Sequence, residues 1–274
     1  MLCKGMINFM IPNFEIFGKT FSAYMILALA GALAALYFTY KTAKKNGLDE
    51  LKMLNAMLFS AIGVLVGAHL MYGITMYDKF LYFITHLYEI SSFTNLFERL
   101  MPIFGGAVFY GGLLGGLLVG LICYRKMKLT KPYVDIGACA IPLFHFFGRI
   151  GCFLSGCCYG IESSFGFVYH HALDAAINDV MRFPIQLVEA LFNLLLFLVL
   201  LRLLKEKKLQ GKLLLVYLIA YPIFRFFAEF LRGDGIRGFV GPLSTSQVIS
   251  VLIIIGTVIY MVVERRKGTN NLKA

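Results

Sequence analysis

The sequence predicts an all-α integral membrane protein with seven transmembrane helices, its N-terminus outside and its C-terminus cytoplasmic. Composition is the first reason: of 274 residues, 59% are hydrophobic and 15% are charged, against roughly 45–50% and about 25% in soluble domains. The second reason is the presence of apolar runs long enough to cross about 30 Å of hydrocarbon. The third is the placement of lysine and arginine in alternate connections between these runs.

Seven apolar runs have the length of a transmembrane helix. They lie at roughly 21–40, 53–76, 104–124, 134–155, 183–203, 212–231 and 243–263. The fourth run is the least regular, because it contains Asp135, Pro142, His145 and Arg149 and continues into a segment rich in glycine and cysteine. We therefore assign no exact last residue to this span.

Basic residues predict the orientation of the spans. The segments 41–52, 125–131, 202–212 and 264–274 hold 17 of the 26 lysine and arginine residues. They are alternate connections on one side, which the preference of basic residues for the cytoplasm makes the inner side. Because this topology accounts for most of the net charge of +11, we expect no nucleic-acid partner.

Two connections on the outer side, 77–103 and 156–182, are long enough to form non-cytoplasmic cap segments. The chain has no long internal repeat and no linker that would divide it. We therefore expect a single membrane domain over residues 1–274.

The sixth span carries a polar stripe formed by Tyr221, Arg225, Glu229 and Arg232. At about 100° per residue, all four side chains project into one narrow sector of a helix. A charge near the middle of a membrane helix costs about 2.5–3.5 kcal/mol on insertion scales, so the stripe needs a reason. One interpretation is an Arg225–Glu229 ion pair with Arg232 at the membrane boundary. We favour a cationic wall for a phosphate, since two arginines and one glutamate leave net positive charge.

The end of the fourth span holds a second polar group. His145, Arg149 and Cys152 are spaced to share one helical face. Gly148 and Gly151 permit close approach of a ligand or of another helix. Helix packing, with Arg149 reaching the membrane interface, is the alternative that the sequence leaves open.

The third span is rich in glycine, which favours tight helix packing over a ligand role. Tyr110, directly before Gly111 and Gly112, is the one polar side chain among these glycines. In the fifth span, Gln186 and Glu189 share a helical face. A hydrogen bond to a neighbouring helix and contact with substrate explain that pair equally well.

Cys152, Cys157 and Cys158 lie close together in the sequence. Adjacent cysteines rarely both bind one zinc ion in the usual ligand spacing, so we predict no metal site and no cofactor. A disulfide or small apolar packing is the favoured interpretation.

The motifs together resemble the prolipoprotein diacylglyceryl transferase family, and the similarity runs over most of the chain. It is carried by Tyr24, YGGLLGG (110–116), the D…P…GRIG-F pattern of 135–153, FPIQLVEAL (183–191), YPIFRFFAEFLRGD (221–234) and LSTSQVIS (243–250). The GRIG segment and the polar stripe are the most specific parts. Their order and spacing agree with the seven-span fold known for the family.

This resemblance implies an enzyme that moves a diacylglyceryl group from phosphatidylglycerol, or a related phospholipid, to the lipobox cysteine thiol of a preprolipoprotein. Glycerol 1-phosphate would be released. The resemblance also implies a multi-pass protein of the bacterial plasma membrane. Arg149, Arg225 and Arg232 would hold the phosphate and stabilise charge on the leaving oxygen, and Glu229 would orient the arginines.

The resemblance extends to a larger set of site residues. The three arginines, Glu229 and Tyr110 are expected to be catalytic, and Tyr24 and Tyr221 would line the lipid site. The residues expected to bind substrate are Tyr24, Tyr221, Gly111, Gly112, Gly148, Gly151, Cys152, Ser155, Cys157, Gly160, Gln186 and Glu189.

The chain departs from the family pattern at four positions. The family has a histidine at the position of Tyr110, and two asparagines and a glutamate at those of Cys152, Ser155 and Cys157. A histidine would serve as general base for the acceptor thiol, whereas a tyrosine is poorly matched to that task at neutral pH. Two alternatives stay open: a diverged paralogue with another acceptor, in which Cys157 or Cys158 takes part covalently, and a non-catalytic lipid-binding protein.

Overall fold

A computed structural model of the chain describes residues 13–16, 19–170, 172, 177–235 and 238–270, most of which are helical. The helices are α1 (Ala23–Lys45), α2 (Glu50–Thr75), α3 (Tyr77–Thr85), α4 (Phe93–Phe104), α5 (Phe109–Lys126), α6 (Lys131–Ser155), α7 (Ile185–Lys205), α8 (Leu213–Ala228) and α9 (Thr245–Asn270). Single 3₁₀ turns occupy Leu87–Glu89 and Glu229–Leu231. The all-helical class predicted from the sequence is confirmed.

Short antiparallel hairpins lie outside the helices. Their strands are β1 (Asn13–Ile16) with β2 (Lys19–Ser22), β3 (Glu162–Val168) with β4 (Met181–Arg182), and β5 (Phe239–Val240) with β6 (Leu243–Ser244). The pairing of β3 with β4 shifts register between Glu162 and Phe167. In the described part of the chain, strands therefore shape only the segments before and between the helices.

Six described helices are long and apolar enough to cross a membrane. They are Ala23–Lys45, Glu50–Thr75, Lys131–Ser155, Ile185–Lys205, Leu213–Leu231 and Thr245–Arg266. Each coincides with one of the predicted spans. The remaining predicted span, 104–124, corresponds to α5, which has only 18 residues and is not among the six. The chain is thus a multi-pass membrane protein.

The chain divides into two compact units. One is Thr39–Tyr133, which contains the end of α1 and α2 to α5. The other combines Met1–Phe38 with Val134–Ala274 and contains most of α1 and α6 to α9.

Glycines join α2 and α5 within the first unit. A Cβ added at Gly63 would lie 2.6 Å from the carbonyl oxygen of Gly115, and one added at Gly67 would collide with the carbonyl of Gly111. The earlier glycine of α2 thus faces the later glycine of α5, so the two helices run antiparallel. Backbones this close require residues without side chains, which explains the glycine content of the third predicted span.

The two connections predicted as caps both contain secondary structure. Residues 77–103 include α3 and most of α4, and residues 156–182 include β3 and β4. In the second connection the guanidinium of Arg182 lies 4.8 Å from the ring centroid of Tyr159 and 3.5 Å from the Glu162 carboxylate. Cation–π and ionic contacts therefore hold this segment together.

Side-chain caps fix where α8 and α9 begin. The Asp135 carboxylate, in the first turns of α6, accepts hydrogen bonds from the backbone N–H groups of Gly211 at 2.6 Å and Leu213 at 3.1 Å. Before α9, the Ser244 hydroxyl accepts from the Gln247 N–H, while the Gln247 side chain accepts from the Ser244 N–H. This reciprocal capping box starts α9 at Thr245.

Candidate active site

Glu189 connects two arginines from different helices. Its Oε2 atom lies 2.6 Å from Nε of Arg149, and its Oε1 atom accepts a hydrogen bond of 2.7 Å from Nη1 of Arg225. The Glu189 side chain is almost fully buried. A buried carboxylate between two guanidiniums fixes their separation, because each oxygen is committed to one of them. The structure thus brings together three of the predicted site residues, and α6, α7 and α8 each contribute one.

Arg225 is held at both ends of its guanidinium. Besides Glu189 it contacts the Glu229 carboxylate at 2.7 Å, the ion pair that the sequence offered as an alternative. Its Nη2 also donates a hydrogen bond of 3.3 Å to the hydroxyl of Ser246, in the first turn of α9. Arg225 therefore has little freedom to reorient.

Arg232 does not continue the polar stripe on one helix, as the sequence analysis expected. The helix ends at Ala228, a 3₁₀ turn follows, and Arg232 has extended backbone angles. Its guanidinium forms a fork with both carboxylate oxygens of Asp234. Burial opposes the charge of Arg232, but the Asp234 carboxylate keeps its pKa above the usual range. Arg232 is thus fixed by a local ion pair.

The expected surplus of positive charge at the stripe is wrong for the described side chains. The stripe itself has Arg225 and Arg232 with only Glu229. The structure adds Arg149, Glu189 and Asp234, so three arginines meet three carboxylates. Arg149 nevertheless keeps donors available. Only its Nε is engaged by a described residue, and its side chain is 17% exposed. Its two terminal nitrogens remain for an anion, which guanidinium binds in bidentate fashion.

Aromatic side chains lie along the same helices. The Tyr217 hydroxyl and His145 Nδ1 are 3.2 Å apart and share a hydrogen bond. The rings of Tyr217 and Tyr221 are stacked at 5.5 Å, and the Tyr221 ring is 5.1 Å from that of His145. Tyr221 lies one turn before Arg225 on α8. The predicted tyrosine therefore belongs to a buried aromatic group beside the arginines.

Two glycines of α6 differ in their surroundings. A Cβ added at Gly148 would meet nothing within 4 Å, whereas one at Gly151 would lie 3.1 Å from Cα of Tyr24. The backbone N–H of Tyr24 also donates a hydrogen bond of 3.2 Å to the Ser155 hydroxyl. Gly151 and the buried Ser155 thus position the start of α1, while open space lies beside Gly148, next to Arg149.

A helix-ending motif places the cysteines. The N–H of Gly156 donates to the Phe153 carbonyl, and the N–H of Cys157 donates to the Cys152 carbonyl. Gly156 has φ +69°. This is a Schellman motif, in which a left-handed glycine turns the chain back on the helix end. The three sulfur atoms of Cys152, Cys157 and Cys158 all lie within 4.8 Å of one another.

The thiols of this group titrate together. Hydrogen bonds from Cys152 and Cys157 lower the pKa of Cys158, and hydrogen bonds within the same group raise the pKa of Cys157. The nearby guanidiniums of Arg149 and Arg232 favour the charged form of Cys158.

Gln186 holds the cysteine loop. Its side-chain amide donates to the carbonyl oxygen of Cys157 at 2.9 Å and to the hydroxyl of Tyr169 at 3.0 Å. Burial raises the pKa of Tyr169 to about 12, so the phenol stays protonated. The sequence left contact with substrate and a buried hydrogen bond open for Gln186, and the described contacts are of the second kind.

Gly160 packs against backbone. A Cβ there would collide with the Phe183 carbonyl and approach that of Leu231 to 3.1 Å. Gly160 also forms a β-bridge with Arg232. The Arg182 side chain also donates a hydrogen bond of 3.4 Å to the Gly160 carbonyl oxygen. These contacts tie the segment after α6 to the segment after α8.

The remaining predicted residues belong to the other unit. Gly111 packs against α2, and a Cβ at Gly112 would lie 3.2 Å from the Val64 side chain. Tyr110 is part of α5, but its side chain lies outside what the structure describes. The described residues of α5 therefore show packing against α2.

Three polar side chains at the site were not singled out from the sequence: Tyr217, Asp234 and Ser246. His145 was placed on the helical face of Arg149 but was given no role. Asp234 and Ser246 lie inside the quoted motifs YPIFRFFAEFLRGD and LSTSQVIS, so the signal was present. A one-dimensional pattern does not say which arginine each partner contacts.

Comparison with known proteins identifies the family. The sequence profile described as prolipoprotein diacylglyceryl transferase matches residues 12–263. A phosphatidylglycerol–prolipoprotein diacylglyceryl transferase 2 of Clostridium perfringens is 36% identical over 257 residues, which cover 93% of this chain and 95% of that protein. The transferase of that name from Clostridium tetani is 33% identical over 258 residues, with coverage of 93% and 98%. The chain therefore belongs to the prolipoprotein diacylglyceryl transferase family.

Proposed function

We propose that this protein transfers a diacylglyceryl group from phosphatidylglycerol to the lipobox cysteine thiol of a prolipoprotein, releasing glycerol 1-phosphate. The observation that carries the proposal is the buried Arg149–Glu189–Arg225 group, in which Arg149 retains two terminal nitrogens for an anion. The names of the relatives from Clostridium perfringens and Clostridium tetani supply the two substrates.

The reaction places its charge where this group lies. The acceptor sulfur forms a bond to a glyceryl carbon, and the bond between that carbon and a phosphate oxygen breaks. The oxygen keeps the electron pair, the thiol proton passes to water, and the leaving phosphate gains one negative charge. Preorganised donors aimed at such developing charge are an effective form of catalysis. Arg149 supplies these donors, with Arg225 and Arg232 as the supporting cations.

The carboxylates act as positioning groups in this proposal. Glu189 sets the orientation of Arg149 through Nε, and Glu229 together with Ser246 fixes Arg225. Holding the guanidiniums before substrate arrives lowers the cost of reorganisation during the reaction. Glu189 thus moves from the substrate-contacting role of the sequence analysis to a positioning role.

The lipid site extends along α6 and α8. The open space beside Gly148 is adjacent to Arg149 and suits a lipid glyceryl group. Tyr24 and Tyr221 supply aromatic surface for the lipid, and Gly151, Cys152, Ser155 and Cys157 belong to the same wall. Gly160 and Gln186 support it through the backbone. In α5, a catalytic role for Tyr110 and substrate binding by Gly111 and Gly112 stay predictions from the sequence.

We also propose a seventh span, formed by α5. With 18 residues it is about 27 Å long, close to the hydrocarbon thickness of about 30 Å. Its antiparallel packing along α2 supports a return across the same layer, and its last turn is basic, like that of α1. Seven spans with basic ends inside give an outer N-terminus and a cytoplasmic C-terminus.

The single membrane domain and the bacterial plasma membrane are parts of the same proposal. Both units consist largely of apolar helices of spanning length or close to it. The relatives are bacterial proteins, and prolipoproteins would meet the protein at the plasma membrane. The connections 77–103 and 156–182 would then be caps on the outer side.

The experiment uses the purified protein in phosphatidylglycerol vesicles with a synthetic lipobox peptide that has one cysteine. The expected result is release of glycerol phosphate matched by a diacylglyceryl mass gain on the peptide. A peptide with serine in place of cysteine is the substrate control. Arg149→Ala should abolish both signals, while Arg202→Ala, an exposed arginine at the end of α7, should retain them.

Absence of both products with the wild-type protein would refute the proposed activity. Full activity in Arg149→Ala would refute the assignment of the phosphate site. Complementation of a bacterial strain depleted of its own diacylglyceryl transferase extends the test to natural prolipoproteins.

A further inference from the structure

Three thiols converge at the end of α6. The sulfur atoms of Cys152, Cys157 and Cys158 all lie within 4.8 Å of one another, and all three cysteines are free. Cys152 is buried, whereas Cys157 and Cys158 are half-buried. The group is therefore enclosed by protein at Cys152 and accessible from the side of Cys157 and Cys158.

The backbone is built to bring these sulfurs together. The Schellman motif turns the chain at Gly156 and places Cys157 over Cys152, whose carbonyl oxygen accepts from both the N–H and, at 3.7 Å, the thiol of Cys157. Cys158 itself has φ +56°, a left-handed conformation that costs a non-glycine residue free energy. Gln186 fixes the loop through the Cys157 carbonyl. Local geometry and a contact from α7 thus support one arrangement.

The spacing suits a metal ion. A thiolate binds Zn²⁺ at about 2.3 Å, so two sulfurs on a tetrahedral ion are about 3.8 Å apart. Thiols within 4.8 Å reach that spacing with small side-chain rotations.

We propose that Cys152, Cys157 and Cys158 form a three-sulfur binding site for a thiophilic divalent cation of the Zn²⁺ class, with a fourth coordination position open. Thiolate ligands select such soft cations over Mg²⁺ and Ca²⁺. A site with three protein ligands retains the position that a substrate or water can occupy.

This inference reverses the expectation of no metal drawn from the sequence. That expectation rested on the adjacency of Cys157 and Cys158, because adjacent cysteines rarely both bind one zinc ion in the usual ligand spacing. The left-handed backbone at Gly156 and Cys158 removes that restriction. The feature that brings the sulfurs together is therefore a backbone conformation, which the spacing of the cysteines in the sequence does not show.

The open position gives the site a role that rests on the proposed function. The acceptor of the transfer is a thiol, and a thiol that binds a divalent metal loses its proton. We infer that the lipobox cysteine binds as the fourth sulfur and is thereby held as a thiolate near Arg149.

The metal site is tested on the full-length protein without lipid or peptide. Co²⁺ is the probe, because thiolate ligands give it an intense near-ultraviolet charge-transfer band and tetrahedral geometry gives visible bands. With a phosphine reductant present, the wild type should bind one Co²⁺ per chain and exchange it for Zn²⁺. Single Cys→Ser changes at 152, 157 and 158 should each weaken binding at least about tenfold. Cys123→Ser, in α5 outside the group, is the matched control.

No sulfur-to-cobalt band in the wild type overturns the proposal. An equal band in Cys158→Ser does so too, because the ion would then be bound elsewhere. Far-ultraviolet circular dichroism and thermal unfolding of every variant separate loss of ligand from loss of fold. A folded Cys158→Ser protein without the band supports the site.

The role of the fourth position has its own measurement. Adding the one-cysteine lipobox peptide to the Co²⁺ protein should increase the charge-transfer band, and the serine peptide should leave it unchanged. An unchanged band with the cysteine peptide refutes the fourth-ligand role. Cobalt binding without transferase activity would refute the proposed function but support the metal site. Transferase activity in a protein that binds no cobalt would support the function and refute the metal site.

Discussion

Nε of Arg149 and the carboxylate of Glu189 lie 2.6 Å apart, although the two residues belong to different helices. The contact engages one edge of the guanidinium and leaves its terminal nitrogens for an anion. The same carboxylate holds Arg225 at 2.7 Å through its other oxygen. One buried acid therefore sets the geometry of two cations that we propose bind one phosphate.

Replacing Arg225 by lysine should lower the rate of glycerol phosphate release by at least about tenfold. A lysine has a single ammonium group, which cannot reproduce the separate contacts that the two terminal nitrogens make with Glu189, Glu229 and Ser246. Initial rates at saturating phosphatidylglycerol measure the effect. Arg202→Lys, at an exposed position, should match the wild type, and equal rates for both variants would contradict the role of Arg225.

Glu189→Gln should destabilise the protein by about 3–5 kcal/mol, since it removes the acid between two buried or partly buried arginines. Thermal unfolding in detergent micelles measures this loss. Glu206→Gln, which removes an exposed carboxylate at the end of α7, is the matched control and should melt like the wild type. A Glu189→Gln protein with unchanged stability would show that the two arginines do not depend on this carboxylate.

Gly148→Ala and Gly151→Ala should behave in opposite ways. Alanine at 148 meets nothing within 4 Å, so helix propensity alone should raise stability by about 0.5–1 kcal/mol. KM for phosphatidylglycerol should increase, because the methyl group would enter the space that we propose for the lipid. Alanine at 151 approaches Cα of Tyr24 to 3.1 Å and should cost about 1–3 kcal/mol. Unfolding and KM measured on both variants decide the matter. An unaltered KM in Gly148→Ala would count against lipid at this position.

Gly156→Ala should cost more stability than Gly47→Ala. Both glycines have left-handed backbones, with φ +69° and +67°, so both variants pay a backbone penalty of roughly 1–2 kcal/mol. Only at 156 does the new methyl group also clash, 2.6 Å from Cβ of Ala172. The same change should weaken Co²⁺ binding, because it disturbs the turn that brings the sulfurs together. Equal unfolding temperatures for the two variants would argue that the loop after α6 adapts freely.

Most helices of the fold could be predicted from hydropathy. Apolar length locates α1, α2, α6, α7, α8 and α9. The end of α8 could not be predicted, because the chain leaves the helix at Ala228 within an apolar and aromatic run. Beyond that point Arg232 forms a long-range bridge to Gly160 and a local ion pair with Asp234. Pattern arguments on a single helix do not contain such contacts.

The helix that carries each of several candidate site residues could be predicted, but the contacts between them could not. Helical spacing places Arg149, Gln186, Glu189 and Arg225 on polar faces, and the structure has each in the expected helix. Periodicity does not reveal that Glu189 bridges two arginines or that Gln186 reaches back to Cys157. Those contacts depend on the orientation of α6, α7 and α8 about their own axes, which decides the side chains that face one another.

The Asp135 cap holds the start of α8, so a tilt of the helix about this end moves its far end most. Its carboxylate anchors the helix at Leu213, and Arg225 is carried about 18 Å farther along the axis. A tilt of about 10° about this anchor would swing Arg225 by about 3 Å, and a misplacement of about 1 Å can cost on the order of a hundredfold in rate. Asp135 lies at the other end of the helix from Arg225, so a substitution at Asp135 would shift Arg225 at the proposed phosphate site without touching any lipid.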